Sequence, residues 1–226
     1  MRHAALALSF TAFVLLPWWS AEAAESVRQI PPPTVDEAKG QAGSSATAVL
    51  AGGCYWGVQG LFEHIKGIKS VVAGYSGDFS NNEPGSLITT LTPAESVQIT
   101  YDPSEITYGK ILQIYFSVIH DPTEKDRQGP DVGPQYRSNI FPNSDAQQNI
   151  AESYIKQLGA AGVYPQPIVT RVDRFHRFVA AKPSEQDVMR THADMAYVVA
   201  YDLPKLAELK RLFPAEYADP GLTYSD

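Results

Sequence analysis

A single cysteine, Cys54, stands in the run Val49 to Val58 (VLAGGCYWGV), with two glycines before it and two aromatics after it. An apolar stretch ends here and a helical pattern begins. The thiol therefore sits where backbone N–H groups lack partners and the helix dipole is positive, a position that favours the nucleophilic thiolate. Gly52 and Gly53 let the backbone turn sharply before it. Tyr55 and Trp56 suit an apolar, compact or cationic ligand, because aromatic faces make hydrophobic, sulfur and cation contacts. The same residues also fit a buried structural cysteine followed by core aromatics. A second reactive group is Glu95, which opens the segment Glu95 to Tyr101 (ESVQITY). Alternate positions Glu95, Val97, Ile99 and Tyr101 share one face of a strand. A carboxyl on an otherwise apolar face loses hydration and keeps its proton to higher pH, as a general acid must. A glutamate pointing out from the sheet edge fits the periodicity equally well.

The elements that must hold these groups follow from hydropathy patterning. Ala46 to Ala51 reads as a buried strand, Val58 to Ile65 as a helix with Val58, Leu61, Phe62 and Ile65 at helical spacing, and Ile68 to Tyr75 as a second strand. Glu95 to Tyr101 is the third strand, Tyr108 to Ile119 the second helix and Asn139 to Phe141 the fourth strand. That order, β-α-β-β-α-β, predicts an α+β fold: a two-layer sandwich with a ferredoxin-like core and a C-terminal extension. A third helix, capped by Ser144 or Asn143, carries Ile150, Tyr154, Ile155 and Leu158 on one face, and a strand follows near Ile168 to Val172. The Gly-, Pro- and Asn-rich stretches Ser76 to Pro93 and His120 to Tyr136 are the loops where a site would gather, and Cys54 opens towards them.

Composition narrows the function. The chain has 226 residues, 44% hydrophobic and 19% charged, which suits one domain with a sizeable core. Its net charge of −7, with no dense basic run, argues against a nucleic-acid partner. One cysteine excludes an intrachain disulfide and any CxxC metal site, and the five histidines show no metal-ligand spacing. At the N-terminus, a basic start, an apolar run from Ala4 to Leu16 and the triplet Ala21-Glu22-Ala23 predict a cleaved signal peptide over residues 1–23. The run falls short of the roughly 20 residues that span a bilayer, so no stable membrane anchor is expected. The protein is then periplasmic or secreted. Residues 24–46, with three consecutive prolines, read as an extended Pro/Gly-rich linker, 47–217 as the catalytic domain and 218–226 as a tail.

The string around Cys54 resembles the signature of the A-type methionine sulfoxide reductases. The likeness continues through Ala73 to Gly77 (AGYSG), Glu95 to Pro103, His120 to Pro122 and Arg127 to Ser138 (RQGPDVGPQYRS), and more weakly Leu209 to Pro214. The resemblance implies reduction of methionine-S-sulfoxide, free and in proteins, by attack of Cys54 on the sulfoxide sulfur while Glu95 protonates its oxygen. It implies that Asp131 and Tyr136 hydrogen-bond near that oxygen, where their residue types alone also fit a solvated loop acid and a packing tyrosine. It implies that Tyr55 and Trp56 receive the substrate methyl group, with Tyr55 where phenylalanine is common. The product is a Cys54 sulfenic acid, which condenses with a thiol. With no second cysteine, recycling requires an external thiol and no other cofactor: a thioredoxin-like protein outside the cytoplasm, a glutathione-type thiol or dithiothreitol. The chain departs from the family pattern in three places. Thr92-Pro93-Ala94-Glu95 replaces Gly-His-Ala-Glu, Ser80 to Leu87 lacks a tyrosine, and Phe178 to Gln186 lacks the usual Tyr and His. The changed Gly-His and the altered C-terminal segment keep in view a binding module that has lost turnover, and the lone reactive cysteine also fits a thiol peroxidase or redox sensor.

Overall fold

The computed structural model describes residues 28–77, 79 and 93–219. The predicted signal peptide, the Ser80 to Leu87 loop and residues 220–226 lie outside them. The strands β1 (Ala46–Gly52), β2 (Ile68–Ser76), β3 (Ala94–Tyr101), β6 (Ser138–Ile140), β7 (Arg171–Val172) and β8 (Phe178–Ala180) form one sheet in the order β7-β6-β1-β3-β2-β8. Every pairing is antiparallel except β6 with β7. A separate two-stranded ribbon, β4 (Arg127–Gln128) and β5 (Asp131–Val132), lies in the loop before β6. With helices α1 (Tyr55–Glu63) and α2 (Tyr108–Ile114), the order β1-α1-β2-β3-α2-β6 is the α+β arrangement expected.

β1 shows why the strand sits at the centre. Ala48 and Leu50 face the main core with Val58, Leu61 and Phe62 of α1 and Ile111 and Leu112 of α2. Val49 and Ala51 face the other side, against Ala94, Phe141, Phe175 and Phe178. Apolar residues on both faces explain a near-continuous apolar run rather than an alternating one.

Two helix boundaries differ from the periodicity. α1 begins at Tyr55, before Val58, because buried Tyr55, half-buried Trp56 and buried Gly57 carry no helical period. α2 stops at Ile114 and continues as a π-helical turn, Tyr115–Ile119. The carbonyls of Tyr115 and Phe116 accept instead from His120 Nδ1 and the Tyr164 hydroxyl, and diverting carbonyls to side chains permits the wider turn. Ser144, rather than Asn143, caps α3 (Asp145–Ala160), and Asn143 Nδ2 donates to Thr47.

The segment before β1 also departs from the tether expected over 24–46. It is extended, but its described part, from Arg28, is docked on the domain. Ile30 is buried, its carbonyl accepts from Gln113 Nε2 at 2.7 Å, and the Tyr154 hydroxyl donates to Pro31. Asp36 accepts from the Gly109 N–H and the Thr107 hydroxyl, and Glu37 from the Tyr108 N–H and the Tyr101 hydroxyl. Two carboxylates on the N–H groups that open α2 meet both the unpaired donors and the positive dipole end, which outweighs the freedom of a tether.

The C-terminal extension packs α4 (Val188–Thr191), a π-helical turn (Val198–Asp202) and α5 (Leu203–Leu212) on α1. The approach is close at Gly57 and Gly60, where a Cβ would meet Asp202 and Met189 within 3 Å. Nearby, Glu63 is buried; burial first, then Asp187, pushes its pKa up to about 8. Its folded pKa lies above the unfolded value of about 4.3, so folding must take up a proton between those pH values. The stability held below the unfolded value is lost as pH rises through the folded one, by about 1.4 kcal/mol per unit. Glu63→Gln keeps the shape without the charge. Its melting temperature should exceed that of the wild type by a margin that widens from about pH 5 to about pH 8, with about 3 kcal/mol separating the two at neutrality. Thermal melts across that range check this, and parallel pH dependences would contradict it.

Candidate active site

β1 delivers Cys54. Ala51 and Gly52 pair with Asn139 and Ser138 of β6, and the Tyr115 hydroxyl donates to the Ala51 carbonyl at 2.7 Å. Gly53 then turns with φ at +100°, and a Cβ there would lie 2.7 Å from Cβ of Gln128, so only glycine fits. Cys54 follows as the half-buried N-terminal cap of α1. The helix N-terminus does favour a thiolate, since the Trp56 backbone N–H pulls the cysteine pKa down. It is outweighed. Burial first, then the charge of Glu95, with Asp131 and Asp202 adding, pushes the thiol well above its usual range. The resting cysteine is a thiol, which corrects the thiolate expected from the motif: desolvation and three carboxyls exceed one helix end.

β3 delivers the acid. Glu95 Oε2 accepts from the Tyr55 N–H at 3.1 Å, so the carboxyl points inward to the first turn of α1, not out from the sheet edge. Burial raises its pKa to about 7; the Tyr55 N–H opposes the rise, and Asp131 and Glu185 add to it. Pro93 leads into the strand and Ala94, its first residue, pairs with Ser76 of β2, so the proline before Glu95 leaves this pairing intact.

The aromatic pair lines the other side. The Tyr55 ring is buried and meets the Tyr75 ring edge-on at 5.6 Å, with their hydroxyls 3.2 Å apart. Trp56 Nε1 donates to Glu185 Oε2 at 3.0 Å, and its ring meets that of Tyr197 edge-on at 6.1 Å. The Tyr197 hydroxyl donates to Asp131 Oδ2, and burial raises the pKa of Asp131. Tyr136, in a 3-10 turn, has its pKa pushed up to about 12 by burial first and then by Glu95, Asp131 and Cys54. Cys54, Glu95, Asp131, Tyr136, Tyr55 and Trp56 thus converge from β1, β3, α1 and the loop around β5. The result is a thiol beside a proton-holding carboxyl, within walls of phenols and an indole.

A family description, "Peptide methionine sulfoxide reductase", matches residues 46–216 of this chain. The chain belongs to that family. A peptide methionine sulfoxide reductase MsrA 2 of Mesorhizobium japonicum is 50% identical over 177 residues, covering 77% of this chain and 91% of the relative. One of the same name from Synechocystis is 38% identical over 218 residues, 95% of this chain and 96% of its own. Among solved structures, methionine sulfoxide reductase A of Corynebacterium diphtheriae is 27% identical with a TM-score of 0.52, covering 76% of this chain and 90% of that one. Yeast Mxr1 in its reduced form shares the fold at 24% identity and a TM-score of 0.55, over 85% of this chain and 98% of its own.

Sequence reasoning missed three side chains of this reductase's site: Glu185, Tyr197 and Asp202. Glu185 lies in the segment Phe178 to Gln186, read as having lost a Tyr and a His. In the fold that segment makes β8 on the edge of β2, and Glu185 accepts from the indole. Gln186 anchors it, bridging Gln59 of α1 and both backbone groups of Ala73. Tyr197 and Asp202 follow no motif, and the lack of a tyrosine in the loop after Tyr75 was the only hint that the C-terminal segment contributes one.

Proposed function

We propose that Cys54 is the nucleophile and Glu95 the proton carrier in the reduction of methionine-S-sulfoxide, free and in proteins, with Asp131 and Tyr136 at the sulfoxide oxygen and Tyr55 and Trp56 around the methyl group. The observation that carries this reading is the Tyr55 N–H bond to Glu95, which holds the carboxyl at the helix turn that Cys54 caps. Glu95 passes its proton to the oxygen as the Cys54 sulfur attacks the sulfoxide sulfur, and the thiol proton recharges Glu95. The S–S bond formed by the attack and the sulfoxide S–O bond then break as an S–O bond forms at Cys54: thiol and sulfoxide become sulfenic acid and thioether, and no external proton is needed. Methionine is oxidised at no stage; the cysteine gives up the two electrons.

An external thiol then attacks the sulfenic sulfur, releases water and leaves a mixed disulfide that a second thiol opens. The single cysteine supports this route, and a thioredoxin-like protein, a glutathione-type thiol or dithiothreitol satisfies its chemistry. The leader-like residues 1–23 support a mature protein outside the cytoplasm, in a periplasm or secreted, where oxidised proteins are its substrates and the reductant is extracytoplasmic. The test is turnover of both methionine sulfoxide epimers with dithiothreitol, followed by chromatography. The S epimer should be consumed and the R epimer left. Binding without product would point to a module that has lost turnover, and peroxide consumption alone to a peroxidase.

A further inference from the structure

The C-terminal segment supplies a carboxyl that this reaction does not use. Asp202 closes the π-helical turn and opens α5. It is 5% exposed, and its Oδ2 has no hydrogen-bond partner among the described residues. Buried polar atoms are nearly always paired, so a carboxyl held this way asks for a reason. Its other oxygen lies against α1: a Cβ at Gly57 would be 2.2 Å from Oδ1, so the glycine is what admits it. Gly57 stands in the first turn of the helix that Cys54 caps.

We propose that Asp202 is a positioning residue that acts through Cys54: its charge, set against the first turn of the helix that Cys54 caps, adds to the restraint that keeps the cysteine in its thiol form above neutrality. This rests on Cys54 being the nucleophile. The groups facing this corner are Cys54 from α1, Glu95 from β3, Asp131 from β5, Tyr197 ahead of the π-helical turn and Lys205 from α5, with His120 neutral beside Lys205. Cys54 and Tyr197 both respond to the Asp202 charge. Burial raises the pKa of Asp202 to about 7; Lys205 opposes the rise and Asp131 adds to it. Below that value Asp202 is neutral and leaves Cys54 alone. Above it, a second anion near the sulfur makes the thiolate harder to form. A chain with one cysteine has no internal partner to rescue it, and a thiol reacts far less than a thiolate with stray oxidants and electrophiles.

Alkylation of Cys54 by iodoacetamide, followed by mass spectrometry across pH, tests this on the full chain and needs no turnover, so it stands apart from any failure of the reductase mechanism. Asp202→Asn and Asp202→Ala should match the wild type near about pH 6 and react roughly 3- to 10-fold faster near about pH 8, the equivalent of half to one pKa unit. A merely structural role would move both ends alike. Equal rates at every pH, or slower alkylation in both variants, would overturn the proposal. Should both variants fail to fold, the profile of Glu95→Gln decides. A rise shallower than one decade per unit above about pH 7 supports the restraint, and a slope of one throughout overturns it.

Discussion

Cys54→Ser should show no measurable reduction of methionine sulfoxide with dithiothreitol, and no sulfenic acid should be trapped by dimedone. The loss is complete rather than partial because the chain holds no other thiol, and a serine hydroxyl at neutral pH is a far weaker nucleophile that cannot carry the oxygen reversibly. The fold should be untouched, since Cys54 caps α1 without a side-chain hydrogen bond and is only half-buried. An unchanged melting temperature beside zero turnover is the expected pair of readings. An active Cys54→Ser protein would remove the nucleophile from the account.

Glu95→Gln should slow sulfenic acid formation by about 10²- to 10⁴-fold, the usual contribution of a positioned proton donor. Gln keeps an oxygen to accept from the Tyr55 N–H, so substrate affinity should change little. The pH dependence distinguishes this from a packing defect. Glu95 must hold its proton to deliver it, and Cys54, whose pKa lies well above that of Glu95, stays a thiol over the same range. The single-turnover rate of the wild type therefore falls as pH rises through about 7, where Glu95 ionises. Glu95→Gln should lose the limb near 7 and follow thiolate formation alone. Stopped-flow kinetics across pH checks this, and a variant with wild-type rate and an intact limb would transfer the proton to another donor, such as Tyr136, whose phenol feels the Glu95 charge.

How far the sequence reaches depends on how local each cause is. β1, β2 and β3 were legible because burial writes itself into the residue pattern of the strand concerned, and Ser144 because its cap bond spans three residues. The π-helical turn that ends the Tyr108 to Ile119 helix was not, since one of the bonds that accompany it comes from the Tyr164 hydroxyl, 48 positions from the Phe116 carbonyl. That Asp36 and Glu37 open α2 was not legible either, because their partners on α2 lie more than 70 positions on. In the site, Cys54, Tyr55 and Trp56 are one contiguous motif and Glu95 stands on a plain alternation, so they were within reach. Glu185 meets Trp56 across 129 positions and Tyr197 meets Asp131 across 66, with no spacing that announces either. The same distance explains the error over the cysteine. The helix end that lowers its pKa is local, whereas Glu95, Asp131 and Asp202, which raise it, arrive from three other parts of the chain.

The most direct measurement is a single turnover without reductant: the chain mixed with excess methionine-S-sulfoxide, methionine counted by chromatography and the protein weighed intact. One methionine should be released per chain, and the mass should rise by about 16 Da, the oxygen localised to Cys54 by dimedone capture. Methionine released with no gain of mass at Cys54, or continued turnover with no thiol added, would contradict oxygen transfer to this cysteine.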